Sequence, residues 1–244
     1  MELETQAFLD RPTQEIDRHV RRQLRALGFQ TAMAGYRGYP AHCSVSRNSV
    51  AVHGVPSAEP LRRGDVFTLD VAAFGSGWAA DSAWTYITAG ASNRRRELVH
   101  AAWRAFRTLL VRMQDARTLA DIARLADEAA AEQGLAVIPE FVGHAIGRQL
   151  HEPPMVPFFP GVAAADTTEL RSGVALNIEP VFTDGDARVE QTEDGWAYRT
   201  VDGSSTAHFE LTVLPTASGI AIAQFGSIAP ERLPIDLPFG CLEL

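Results

Sequence analysis

At 244 residues, with 46% hydrophobic and 21% charged residues, the chain is long enough for one large domain or two small ones around a well-formed core. A formal net charge of −8 argues against a nucleic-acid partner, which usually requires a basic face. No apolar stretch reaches membrane-spanning length, the acidic start MELETQAFLDRP lacks the features of a signal peptide, and Cys43 and Cys241 define neither a disulfide framework nor a zinc knuckle, so a reduced cytoplasmic protein is expected.

In chain order, TQEIDRHVRRQLRALGF (13–29) sets Ile16, Val20, Leu24 and Leu27 on one helical stripe, with Thr13 as N-cap and Gly28 as stop. Short strands punctuated by Gly and Pro follow through YRGYPAHCSVSRNSVAVHGVP. A hairpin-like pair comes next, around Phe67–Val71 and Asp81–Ile87, turned by GSG. One helix is expected over 93–113 and a second from Thr118 to Gln133, stopped by Gly134. Strands return at 136–143, 174–182, 197–201 and 207–214, and the Pro-rich tail FGSIAPERLPIDLPFGCLEL is expected to run over the surface as a strap. A helix followed by strands occurs twice, so two similar halves would frame a cleft.

Five residues stand out: Asp70, Asp81, His144, Glu179 and Glu210. They sit in the apolar segments FTLDVAAFGSGWAADSAWTY, EFVGHAIG, ALNIEPVF and TAHFELTV. A lone buried charge is prohibitively costly unless a cation or a proton neutralises it. Any one of these acids is more ordinarily ion-paired or at the surface. Four carboxylates with one imidazole point to a shared site for divalent metal.

The pieces GYRGYP, SRNSVAVHGVP, VGHAIGRQLHEPP, NIEPVF, DGWAYRT and AHFELTV, with the 11-residue step from Asp70 to Asp81, resemble the type I methionine aminopeptidases over residues 12 to 222. The resemblance implies an α+β, pita-bread (creatinase/aminopeptidase) fold forming one catalytic domain. Its halves would cover about 1–90 and 91–222, with a tail over about 223–244. It implies two divalent cations (Mn, Co, Fe or Zn), with Asp70 chelating one, Asp81 and Glu210 bridging, and His144 and Glu179 on the other. Such a pair lowers the pKa of water and takes a free α-amine, while Glu179 also shuttles the proton to the leaving amine. His53 and His151 match the family's two non-ligand histidines beside the scissile bond, donors to the substrate amide and carbonyl. Met33, Tyr36, Tyr39, Ser44, Leu150 and Trp196 match its substrate pocket, although each fits an ordinary core or rim role equally well. Leu150 stands where the family tends to have Phe, and Met33 where it has a small residue or Cys.

The chain departs from the family in three ways. The helix that would precede 13–29 is missing, so the first half's sheet would be covered by a homodimer, a partner chain or the tail. Ala145 replaces a Gly, at a cost of about 1 kcal/mol if the position needs φ > 0. His208 and Leu211 replace Gln and His around Glu210, which would alter metal affinity. The expected activity is hydrolysis of an N-terminal residue, methionine foremost, from a peptide or nascent protein. The alternatives are a specialised hydrolase of a non-Met free-amine substrate, an X-Pro peptidase of the same fold, and a non-catalytic interaction module, whose signature would be eroded ligands.

Overall fold

The computed structural model describes residues 8–163, 167–217 and 219–235; Cys241 and the end of the tail lie outside them. Helix α1 (Gln14–Ala26) buries Ile16, Val20 and Leu24, the stripe that the spacing predicts. Leu27 lies past the helix end and is 62% exposed, because Gly28 turns the chain at φ 79°. Thr13 does not cap through its side chain. Its hydroxyl instead donates to the Ser57 carbonyl (3.3 Å) and accepts from the Ser57 N–H (2.9 Å), tying the helix start to the loop beyond the first strands.

Strands β1 (Gln30–Thr31) and β2 (Ser44–Arg47) pair with successive stretches of one edge of β4 (Val66–Gly75), and β5 (Trp78–Ile87) takes the other edge; β3 (Val50–Val52) joins a different sheet. The β4–β5 hairpin is longer than its apolar runs imply. Its turn residues Ser76 and Gly77 both have positive φ (52° and 78°), the geometry that matches strand twist in a two-residue turn.

Helices α2 (Asn93–Arg112) and α3 (Leu119–Glu132) form close to their expected limits. Ser92 accepts from the Arg95 N–H to start α2, and Thr118 and Asp121 form a reciprocal capping box on α3. The main core joins Trp103, Phe106 and Leu110 of α2 to Ile122 of α3 and to Phe209. The tail segment that is described follows α2: Trp103 Nε1 donates to the Pro234 carbonyl (3.2 Å) and Arg107 Nε to that of Leu233 (2.9 Å). Of its described residues, Gln224 reaches the first half, at the Asp81 carbonyl (3.2 Å). There, Leu24, Leu27, Phe29, Leu69 and Val71 line an apolar groove. Among the described residues, no helix is long and apolar enough to cross a membrane.

The later strands are β6 (Ala136–Val137), β7 (Gly143–Ala145), β8 (Glu152–Val156), β9 (Leu176–Ile178), β10 (Val181–Thr183), β11 (Val189–Gln191), β12 (Tyr198–Thr200), β13 (Thr206–His208), β14 (Leu211–Thr216) and β15 (Gly219–Ile222), with a short helix α4 (Pro160–Ala163) before β9; the expected strands are broken into shorter pieces, and β8, β11 and β15 fall outside all of them. The expected strand over 174–182 breaks at Glu179 and Pro180, since proline offers no N–H to a ladder. There the chain leaves the sheet ordered β15-β14-β9-β7-β8 for the sheet ordered β13-β10-β6. At Phe209 and Glu210 the expected strand over 207–214 makes the reverse crossing, and the Glu210 N–H donates to the Ala83 carbonyl of β5 (2.9 Å). The two halves are stitched together at that bond. Ala145 is an ordinary buried strand residue with no positive φ, so the strain expected of a Gly replacement does not arise.

Candidate metal centre

The hairpin places its two acids by pleat alone. Asp70 lies opposite Ala83 and Ala72 opposite Asp81, so the carboxylates sit diagonally on one face, two positions apart along the ladder. The Asp70 and Asp81 carboxyls lie close enough to perturb each other's proton affinity. His144 is delivered by β7, and Glu179 and Glu210 by the two sheet crossings. All five line one cavity.

His144 Nδ1 donates to the Ala145 carbonyl (2.9 Å), which leaves the lone pair on Nε2 facing Glu179 Oε1 at 3.4 Å. Glu210 Oε1 accepts from Asn177 Nδ2 (2.8 Å), and Asn177 Oδ1 in turn accepts from the Thr212 hydroxyl (2.8 Å). Gln224 continues the chain of bonds. Its Nε2 donates to Thr212 Oγ1 (3.1 Å) and to the Asp81 carbonyl (3.2 Å), and its Oε1 accepts from the Thr212 N–H (3.0 Å). The Glu210 carboxylate is thus linked through neutral groups to the Asp81 backbone in the first half.

Electrostatically this cluster is incomplete without a cation. Burial, then repulsion from neighbouring acids, pushes Asp81, Glu179 and Glu210 well above the usual carboxylate range. Burial raises Asp70 to about 7. Asp81 Oδ1, Glu179 Oε1 and His208 Nε2 are buried with no hydrogen-bond partner. Unpartnered oxygens among mutually repelling acids, beside an imidazole presenting its lone pair, form a donor set that fits divalent metal. Donor atoms of Asp81, His144 and Glu210 lie within 4.8 Å of one another, and so do those of Glu179, His208 and Glu210.

The cavity wall also carries His53, His151, Met33, Tyr36, Tyr39, Leu150 and Trp196. His151 Nδ1 is 2.8 Å from the Tyr36 hydroxyl, and its ring centroid is 4.1 Å from that of His144. Burial first, then the charges of His144, Arg37 and His53, lower its pKa to about 4. Burial also lowers His53, which the backbone holds at a positive φ of 58°. Tyr39 stands edge-on to Trp196 with centroids 5.3 Å apart. Ser44 is the exception to the expected pocket. It is 1% exposed on β2, paired with Asp70 in register, and its hydroxyl bonds Ser46 Oγ rather than forming part of the wall.

Two wall residues were not singled out by sequence, Ala72 and Arg37. Arg37 sits inside the GYRGYP piece, with its guanidinium 5.5 Å over the Tyr36 ring. Asn177, which holds Glu210, precedes Glu179 by two residues, so a search for polar side chains beside the acids finds it.

Comparison with known proteins agrees with this geometry. The chain is 31% identical to methionine aminopeptidase 1 of Bacillus subtilis, over 86% of this chain and 84% of that protein. A solved methionine aminopeptidase from Thermotoga maritima superposes with a TM-score of 0.82 at 34% identity, covering 88% of this chain and 86% of that one. A prolidase from Pyrococcus furiosus shares the fold alone, with a TM-score of 0.66 at 19% identity over 87% of this chain and 55% of that one. The pita-bread architecture expected from the sequence stands on these superpositions. A model of metallopeptidase family M24 matches residues 6–217, and the chain belongs to that family.

Proposed function

We propose that this chain is a metal-dependent aminopeptidase that removes the N-terminal residue, methionine foremost, from peptides or nascent proteins. The observation that carries this reading is the gathering of Asp70, Asp81, His144, Glu179 and Glu210 around one cavity, with two of their oxygens unpartnered. Asp70 would hold one cation, His144 and Glu179 a second, and Asp81 and Glu210 both. Mn, Co, Fe and Zn all suit such a set. When bound, divalent cations lower the pKa of water and anchor a free α-amine, which restricts cleavage to chain ends.

The chain's own groups do the rest. Glu179, with Oε1 free of hydrogen bonds, takes a proton from the attacking water and passes it to the leaving amine. His151 stays neutral at physiological pH. With the Tyr36 hydroxyl donating to its Nδ1, Nε2–H becomes the donor to the substrate carbonyl, where charge develops. His53, also held neutral, supports the substrate amide. Met33, Tyr36, Tyr39, Leu150 and Trp196 enclose the departing side chain.

The test is hydrolysis of Met-Ala-X peptides by protein loaded with Mn or Co, abolished in Glu179→Ala. Metal-loaded protein that cleaves no free-amine peptide would sink the reading. The wall residue Arg37 favours one variant of it, a specialised free-amine substrate carrying an acidic group. Failure on Met peptides with cleavage of other members of a peptide library would select that variant.

The same reading takes residues 1–244 as one catalytic domain with halves at about 1–90 and 91–222. It places the protein in the cytoplasm, consistent with Cys43 being a free buried thiol. The groove around Leu27 and Phe29 offers an apolar surface for a second copy or partner chain, which sedimentation of the purified protein would detect.

A further inference from the structure

His208 is a buried histidine whose backbone is bonded on both sides. It ends β13, is 3% exposed, and faces Val181 in register. Its N–H donates to Thr85 Oγ1, and its carbonyl accepts from the same hydroxyl, both at 2.8 Å. The backbone therefore fixes where the imidazole reaches. That reach ends at Nε2, which is buried with no hydrogen-bond partner. The nearest acid oxygen, Glu179 Oε2, is 3.9 Å away, beyond hydrogen-bonding distance. A buried ring nitrogen left idle beside a carboxylate is rare in native proteins.

The surroundings supply the partner that the nitrogen lacks. Glu179, His208 and Glu210 each offer a donor atom within 4.8 Å of the others, and Asp81, His144 and Glu210 do the same. Glu210 is common to both groups. Besides Glu210, each group holds one carboxylate and one imidazole. The resemblance that frames the site implies a single histidine ligand, with Gln at the position of His208.

We propose that His208 is a direct metal ligand through Nε2, giving this centre a second imidazole beside His144. The inference rests on the metallopeptidase reading above. An added nitrogen donor shifts a carboxylate-rich site toward borderline cations such as Co(II) and Zn(II), and away from Mn(II), which is content with oxygen.

X-ray absorption and the visible spectrum of the Co(II)-loaded protein count imidazole donors, and calorimetric titration with Co(II), Zn(II) and Mn(II) gives affinities. Two imidazoles are expected in the unmodified protein. In His208→Gln one should remain, the Co(II) bands should shift, and Co(II) and Zn(II) affinity should fall on the order of tenfold or more, while Mn(II) binding changes little. A single imidazole in the unmodified protein, or an unchanged spectrum in His208→Gln, would overturn the proposal. The count on the unmodified protein stands even if the variant misfolds. A metal-loaded enzyme with one imidazole that still cleaves Met peptides would reject His208 as a ligand and leave the proposed function intact. Absence of any metal binding would remove both.

Discussion

The two halves of the molecule deliver their acids to the cavity by different means. In the first half an uninterrupted hairpin, β4–β5, places Asp70 and Asp81 by the alternation of its pleat. In the second, Glu179 and Glu210 stand where strands stop and the chain crosses between sheets. A pleat is robust, because every ladder bond along it enforces the same face. A crossing has no ladder of its own and depends on local bonds: Asn177 to Glu210, and the Glu210 N–H to Ala83. Position is therefore cheap on the hairpin and has to be built residue by residue at the crossings.

The sharpest way to break this comparison is to move an acid by one step on the hairpin. Exchanging Asp81 and Ser82 (Asp81→Ser with Ser82→Asp) keeps composition but turns the carboxylate to the opposite face. Metal affinity, read by calorimetry, should fall by more than the roughly 10–100-fold that loss of an outer partner costs, with the far-UV circular dichroism unchanged. Retained affinity would mean that the pleat does not set the site.

Asn177→Ala tests the crossing. It removes the donor that fixes Glu210 Oε1, and metal affinity should drop about 10–100-fold while α1 and the hairpin remain folded. Metal titration followed by thermal melting distinguishes a displaced ligand from a destabilised fold.

The pH dependence compares the empty and filled cluster. Asp70 has an ordinary value of 3.8 and is raised to about 7 by burial in the fold. A raised carboxyl binds its proton more tightly when folded. Its contribution to stability is therefore complete below the unfolded value and is lost as pH rises through the folded one. The metal-free protein should melt at progressively lower temperature as pH climbs through about 7. Adding Mn(II) or Co(II) should flatten that slope, because the acids then gain a cation instead of a proton. A metal-free melting temperature constant across this range would contradict the crowding of charge described here.

The smallest effect belongs to Ala145→Gly. Because Ala145 is an ordinary strand residue, glycine there should cost about 0.5–1 kcal/mol of stability, read by denaturant unfolding, with little change in kcat.

The sequence carried the helices and the hairpin well, since Ile16, Val20 and Leu24 repeat at helical spacing and GSG marks the turn. It also pointed, through their order and spacing, to the five acidic and imidazole residues that line one cavity. What it hid was where strands end. NIEPVF and AHFELTV each read as continuous apolar runs, yet each is divided between two sheets, and which sheet claims which end is decided by tertiary pairing. Local pattern also assigned Thr13 a capping role that Ser57, 44 residues away, takes from it. The resemblance puts Ser44 in the pocket and the register sets it opposite Asp70, but its hydroxyl is buried against Ser46 Oγ and takes no part in the wall. The idle nitrogen of His208 is likewise a property of three-dimensional surroundings.

Gln224 lies just after β15, in a stretch of chain that looks expendable, yet its amide spans Thr212 and the Asp81 carbonyl. Trimming the chain back past this residue, or fusing a purification handle just before it, removes a bond to the hairpin that carries Asp70 and Asp81.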